Sequence, residues 1–301
     1  MISIQAISKY TPKNFLDLKK RYKKINKIFL KNKIGASKVL RKNNNEDVID
    51  MCIKSFKNFK KPINKSKIKM LILCTQNPEY NGLPHNSAII HKRLNLEKNV
   101  ACLDISQGCA GYLYGLKVAE SFLKENEIAL FFTCDPYSKI IVPNDYKTEL
   151  LFGDAATMSI LIKSKKVKLK NLIDSEFFTD GTYFDSIINK NGKLEMNGKN
   201  VMDFSQNQVP EFIKKFLKKN NLKVSQVDKF YFHQGSKHIV DTVAKSLNLK
   251  KNQLSNIIEN IGNTVSSSIP LLLIKDNFLK KKKIIICGFG VGLSISAGLL
   301  F

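Results

Sequence analysis

Tryptophan is absent from this 301-residue chain, and arginine occurs only at Arg21, Arg41 and Arg93. The formal net charge of +25 is therefore carried by lysine. Bidentate recognition of phosphates and base edges favours arginine, so the charge does not read as a nucleic-acid surface. The lysines are interleaved with asparagine and isoleucine throughout, as at 54–69 and 214–223, which is the pattern of solvated faces. Such a surface still attracts an acidic partner and speeds its encounter. Six cysteines (Cys52, Cys74, Cys102, Cys109, Cys134, Cys287) contain no Cys-x-x-Cys pair and no zinc spacing. That argues against a structural zinc site and a disulfide framework, and for free thiols in a reducing cytoplasm. No basic-then-apolar leader opens the chain. Ile284–Phe301 is uncharged and follows four lysines, Lys280–Lys283. Gly288, Gly290, Gly292 and Gly298, with Ser294 and Ser296, break it into strand, turn and strand rather than a membrane anchor.

What is present suits a large α/β core, with 43% of residues hydrophobic. Apolar runs at 70–75, 100–105, 128–134 and 157–162 read as buried strands. So do 1–7, 229–232, 284–287 and 293–300. Helical spacing appears at 14–29, 45–59, 86–94, 110–124, 239–247 and 270–277, and a helix at 210–220 opens on Pro210. Strands and helices alternate in two parts of similar length, 1–163 and 164–301. That pattern points to a duplicated α/β architecture with no close internal sequence repeat.

The chain is organised around Asp104-Ile105-Ser106-Gln107-Gly108-Cys109-Ala110-Gly111. A strand ends, the chain turns at Gly108, and a helix begins with Cys109 at its start. A helix N-terminus favours a thiolate, which is the nucleophilic form. Gly108 and Gly111 leave room beside the sulfur. A strand–turn–helix with its nucleophile at the tip follows the logic of the nucleophile elbow. A buried cysteine as simple core filling is the competing reading.

Three further segments stand out: Phe232-His233-Gln234-Gly235-Ser236, Asn260-Ile261-Gly262-Asn263-Thr264 and Gly288-Phe289-Gly290-Val291-Gly292. Residues at strand ends in α/β folds are where ligands bind. A cysteine, a histidine and an asparagine can act as nucleophile, base and orienter. Papain-like proteases use the same order, but they require a secretory context, disulfides and tryptophan-flanked motifs that are missing here.

Over nearly its full length the chain resembles the β-ketoacyl-acyl carrier protein synthase III family, thiolase-fold condensing enzymes. The matching motifs are Asp104–Gly111, Leu151-Phe152-Gly153-Asp154-Ala155-Ala156, His233-Gln234, Gly262-Asn263-Thr264 with Ser268-Ile269-Pro270, and Gly288–Gly292. The resemblance implies two duplicated α/β halves in a layered α-β-α-β-α sandwich. It implies a Cys109–His233–Asn263 triad, with an oxyanion hole formed by the backbone N–H groups of Cys109 and Val291. Cys109 would take an acyl group from a thioester on coenzyme A or acyl carrier protein. His233 and Asn263 would stabilise the enolate left when malonyl-acyl carrier protein loses carbon dioxide, and a Claisen condensation would follow. The substrate-binding residues it implies are Leu83, Gly153, Met196, Gly198, Met202, Gln234, Lys237 and Gly290. Leu83 would enter the acyl pocket of a partner subunit in a homodimer. No metal or redox cofactor is implied, and an acidic acyl carrier protein is the implied partner.

Departures from the family pattern concern coenzyme A. Relatives often stack its adenine between a tryptophan and an arginine, and the region around Ile28 and Asn32 has neither. Gly235-Ser236 stands for Ala-Asn, His238 for an arginine, and Met202-Asp203 for an aromatic and a lysine. These changes leave the chemistry intact and favour a primer delivered on a carrier protein. Two alternatives differ in outcome. One passes the acyl group to an amine or hydroxyl of a glycan or specialised metabolite. The other is a non-catalytic partner subunit, which would usually lack the triad.

Overall fold

The computed structural model describes residues 1–164 and 170–301. Nine strands form one sheet: β1 Ile2–Tyr10, β2 Ile68–Cys74, β3 Ala101–Ile105, β4 Ile128–Cys134, β5 Ala156–Lys163, β6 Lys170–Thr179, β7 Lys229–Phe232, β8 Ile284–Gly290 and β9 Ser294–Leu300. The longer helices are α1 Val48–Lys57, α2 Asn86–Arg93, α3 Gly111–Phe122, α4 Gly198–Lys219, α5 Lys237–Ser246 and α6 Ser268–Lys275.

The strand order is β7-β8-β9-β6-β1-β5-β4-β2-β3. Outward from the β1/β6 seam, each half repeats one pattern. The first strand lies beside the last, which runs antiparallel, and the parallel inner strands follow. The counterpart of β3 in the second half is reduced to a bridge between Leu254 and Phe230. The two half-sheets pair with each other through Ser3 with Asn171 and Ile4 with Lys170.

Helices make up three layers around this sheet. α3 and α6 touch strands of both halves, α1 and α2 cover the first half, and α4 covers the second with α5 packed on it. The central layer is therefore buried against both half-sheets: Leu113, Leu116, Leu272 and Leu273 share one core cluster with Ile72 and Ile286. Each such leucine contributes about 1.5–3 kcal/mol by leaving water. The layered duplication expected from the family resemblance is thus present, with the two half-sheets hydrogen-bonded into one.

Two helical expectations are corrected. The segment 14–29 is not one helix. Phe15–Asp17 pairs as a strand with Lys38–Leu40, and only Leu18–Arg21 and Lys27–Phe29 are helical in that span. The reason is local. Asp17 accepts the N–H groups of Lys19 and Lys20, and Asn26 those of Ile28 and Phe29, so each starts a new turn. Conversely, the helix expected from Pro210 begins at Gly198 and runs through the proline. A proline in a helix interior costs about 3 kcal/mol. Burial of Phe204, Val209, Ile213, Phe216 and Leu217 along that helix outweighs the cost.

Candidate active site

Cys109 lies in the turn between β3 and α3, 6% exposed. Gly108 takes φ +49, and a Cβ there would stand 2.3 Å from Gln76 Oε1, so only glycine fits. The turn rests on the other half of the molecule. A Cβ on Gly288 would come within 2.4 Å of the Cys109 carbonyl, and Ser296 Oγ donates to the Ala110 carbonyl at 3.0 Å. Gly290, at φ +151, passes beside the sulfur, where a Cβ would sit 3.0 Å from Sγ.

Burial pushes the Cys109 thiol up to about 12, with the Asp135 carboxylate adding to the rise. The backbone N–H groups of Val291 and Cys109 oppose it. Burial therefore favours the thiol at rest, against the pull of the helix start toward a thiolate. Desolvation of the charged form outweighs the helix dipole here. The two N–H groups that face the sulfur are those the resemblance assigned to the oxyanion hole.

His233 follows β7, and its N–H donates to the Cys287 carbonyl at 2.9 Å, so it continues the strand pairing. The ring meets Phe289 edge-on, with centroids 5.8 Å apart. Burial lowers its pKa to about 3, against a weaker upward pull from the Val265 backbone, so the imidazole is neutral. Asn263 is held by its own backbone: its N–H donates to Leu151 O at 2.7 Å, and its carbonyl accepts Gly153 N–H at 2.8 Å. Its Oδ1 accepts Val265 N–H at 2.9 Å, which leaves Nδ2 as the donor of the side chain.

Cys109, His233 and Asn263 line one cavity of about 1330 Å³, together with Val291, Gly290, Met196, Gly198 and Met202. The other expected binding residues lie elsewhere. Gly153 is a packing glycine: a Cβ there would stand 1.9 Å from the Ile261 carbonyl oxygen, so it permits the Phe152–Asn263 bridge. Gln234 is buried in backbone bonds, donating to Phe232 O and accepting Ile257 N–H. Lys237 pairs with Asp241 and faces a different hollow. Leu83 is 85% exposed on a loop outside the cavity of its own chain.

Sequence reasoning missed the hairpin of Ile187–Lys190 and Lys193–Met196, which walls the cavity, and Tyr137, which lines it. Tyr137 donates to Gln76 Oε1 at 2.6 Å. Nothing in a lone tyrosine after Asp135-Pro136 signals this. Lys33, Lys147, Lys190, Lys193 and Lys199 line the cavity, outnumbering Asp145, Asp185 and Glu195 there. The role found for Gly153 predicts that Gly153→Ala costs about 1–3 kcal/mol of stability by forcing two backbones apart. Thermal denaturation would show a melting point several degrees lower, and an unchanged one would contradict this role.

A duplicated α/β sandwich holding a thiol, an imidazole and a carboxamide in one cavity is the arrangement of the thiolase-fold condensing enzymes. Comparison with known proteins narrows the class. Residues 103–181 match the family described as 3-oxoacyl-[acyl-carrier-protein (ACP)] synthase III, and residues 217–300 match its C-terminal part. A β-ketoacyl-[acyl-carrier-protein] synthase III of Clostridium botulinum is 33% identical over 270 residues, covering 83% of this chain and 82% of that protein. A 2.1 Å crystal structure of a 3-oxoacyl-(acyl-carrier-protein) synthase III superposes with a TM-score of 0.91 at 26% identity, covering 99% of both chains. The Aquifex aeolicus enzyme of that name superposes equally well, with a TM-score of 0.91 at 23% identity over 100% of this chain and 99% of that one. The chain belongs to the β-ketoacyl-acyl carrier protein synthase III family.

Proposed function

We propose that this protein is a 3-oxoacyl-[acyl-carrier-protein] synthase III, which starts fatty-acyl chains by decarboxylative condensation. The observation that carries the reading is the convergence of Cys109, His233 and Asn263 on one cavity, with Cys109 and Val291 N–H groups at the sulfur. Cys109 Sγ attacks the carbonyl of an acyl thioester. The C–S bond to the carrier breaks, and the thiol proton leaves with the carrier thiol. The oxyanion of this step lies against the Cys109 and Val291 N–H groups. Malonyl-acyl carrier protein then binds and loses carbon dioxide. The electron pair becomes an enolate whose oxygen accepts hydrogen bonds from His233 and Asn263 Nδ2. The enolate carbon attacks the acyl-cysteine, and the Cys109 thiolate departs and regains a proton. No electron enters or leaves the sequence, so the reaction as read calls for no redox cofactor, and backbone and side-chain donors do what a metal would.

The excess of lysine at the cavity, in a chain of net charge +25, supports an acidic carrier protein as the partner. Exposed Leu83, on a loop outside its own cavity, supports a homodimer in which it completes the partner's pocket. Among the described residues no helix is long and apolar enough to cross a membrane.

The test is intact mass after incubation with a panel of acyl-coenzyme A and acyl-carrier-protein thioesters. The expected result is a gain of one acyl group. Addition of malonyl-acyl carrier protein should then release carbon dioxide and a 3-oxoacyl product. A protein that no thioester labels, with Cys109 open to a thiol reagent, would refute the reading.

A further inference from the structure

Asp135 is a fully buried carboxylate that the proposed reaction does not touch. It directly follows β4, and its two oxygens hold two separate parts of the chain. One accepts the backbone N–H of Gln76 at 2.6 Å. The other accepts the Ser266 hydroxyl and, at 3.4 Å, the Ser266 N–H. Gln76 supports the nucleophile turn, because its Oε1 fills the space against Gly108. Ser266 belongs to the turn that follows Asn263. The carboxylate therefore joins the Cys109 side of the cavity to the Asn263 side, one half of the molecule to the other.

The turn it grips is strained. Val265 has φ +51, a left-handed conformation that a β-branched residue rarely adopts. Strain of this kind persists only where the surroundings over-determine it. Here Val265 N–H donates to Asn263 Oδ1 on one side, and Ser266 is fixed to Asp135 on the other. Ser267 Oγ adds a bond to the Thr133 carbonyl at 3.1 Å. Asn263, a donor of the enolate step, thus leans on this turn. An ionised carboxylate accepts two N–H groups and a hydroxyl more strongly than a neutral amide does, which suits a restraint against strain.

We propose that Asp135 is a positioning residue: it holds the Val265–Ser267 turn in its left-handed conformation, and so aims Asn263 for the decarboxylation step. The proposal rests on the synthase reading above. The titratable groups facing Asp135 are Cys74, Cys109, Cys134 and Tyr137. Its charge holds the Cys109 thiol up, so removing it has an effect on the nucleophile opposite in sign to the effect on the donor.

Asp135→Asn tests this, with carbon dioxide release, acyl loading and thiol alkylation measured on one preparation. A misplacement of about 1 Å at a reacting centre can cost about 100-fold. The expected result is a kcat for decarboxylation lowered about 10- to 100-fold, with KM for malonyl-acyl carrier protein little changed. Acyl loading of Cys109 stays within a few-fold, and alkylation by iodoacetamide speeds up. Ser266→Ala, which removes the hydroxyl at the other end, lowers decarboxylation in the same direction by a smaller factor, and it carries the test if Asp135→Asn does not fold. Unchanged decarboxylation in both variants overturns the proposal. So does a parallel fall of loading, alkylation and decarboxylation with the melting point, which marks a merely structural role. A wild-type protein that neither loads nor decarboxylates defeats the synthase reading instead.

Discussion

Cys109→Ala is expected to abolish the acyl adduct and to lower condensation by about 10⁴-fold or more, the scale on which removal of a covalent nucleophile acts. The other five cysteines offer no substitute. Cys52, Cys74, Cys134 and Cys287 are buried away from the substrate cavity, and Cys102 stands on β3 outside it. The same variant should still release carbon dioxide from malonyl-acyl carrier protein. That step needs only the His233 and Asn263 donors, which Cys109 does not hold in place. The thiol rests neutral, so its removal leaves no buried charge unpaired and the folded state should change little. Two readouts check this: intact mass after incubation with acyl thioesters, and carbon dioxide release without a primer. An acyl adduct that survives in Cys109→Ala would mean that another side chain is the nucleophile.

The parts of this site legible in the sequence are those written in local chemistry. The break at Gly108 between an apolar strand and an amphipathic helix is enough to place Cys109 at a tip. The glycines of 288–292 likewise argue for a turn between two closing strands, where Gly290 passes the sulfur. What is not legible depends on distant contacts. Gly153 looks like a ligand-binding glycine in a motif, yet its reason is the Ile261 carbonyl, more than a hundred residues away. Asp135 reads as an ordinary acid after a strand until Ser266 and Gln76 are brought to its two oxygens. The helix through Pro210 defies its own propensity because burial along it outweighs one missing donor. Propensity governs the segment at 14–29 instead, where Asp17 and Asn26 cap successive short turns.

His233→Ala and Asn263→Ala should each lower decarboxylation by about 10²–10³-fold, the cost of one missing oxyanion donor. Cys109 loading should change little, because its own oxyanion donors are backbone N–H groups. The pH dependence separates the roles further. The His233 pKa is about 3 in the folded protein, so the imidazole is neutral throughout the working range and donates as N–H. Between pH 5 and 8 its titration should therefore leave no limb in the decarboxylation profile. A limb near pH 6.5 that disappears in His233→Ala would contradict the buried neutral ring. Stability carries the same information with a definite sign. The folded pKa lies below the value of 6.5 for an unperturbed histidine, so the unfolded chain takes up the proton first. The stability linked to this group is complete above pH 6.5 and is lost as pH falls from there toward about 3. Asp135, raised to about 6 by burial, acts in the opposite direction, costing stability as pH rises toward that value. Denaturation curves of wild type and His233→Ala across this range isolate the histidine, because Asp135 is common to both. The wild type should lose stability on acidification faster than the variant, and equal slopes would mean that the imidazole is not buried as neutral base.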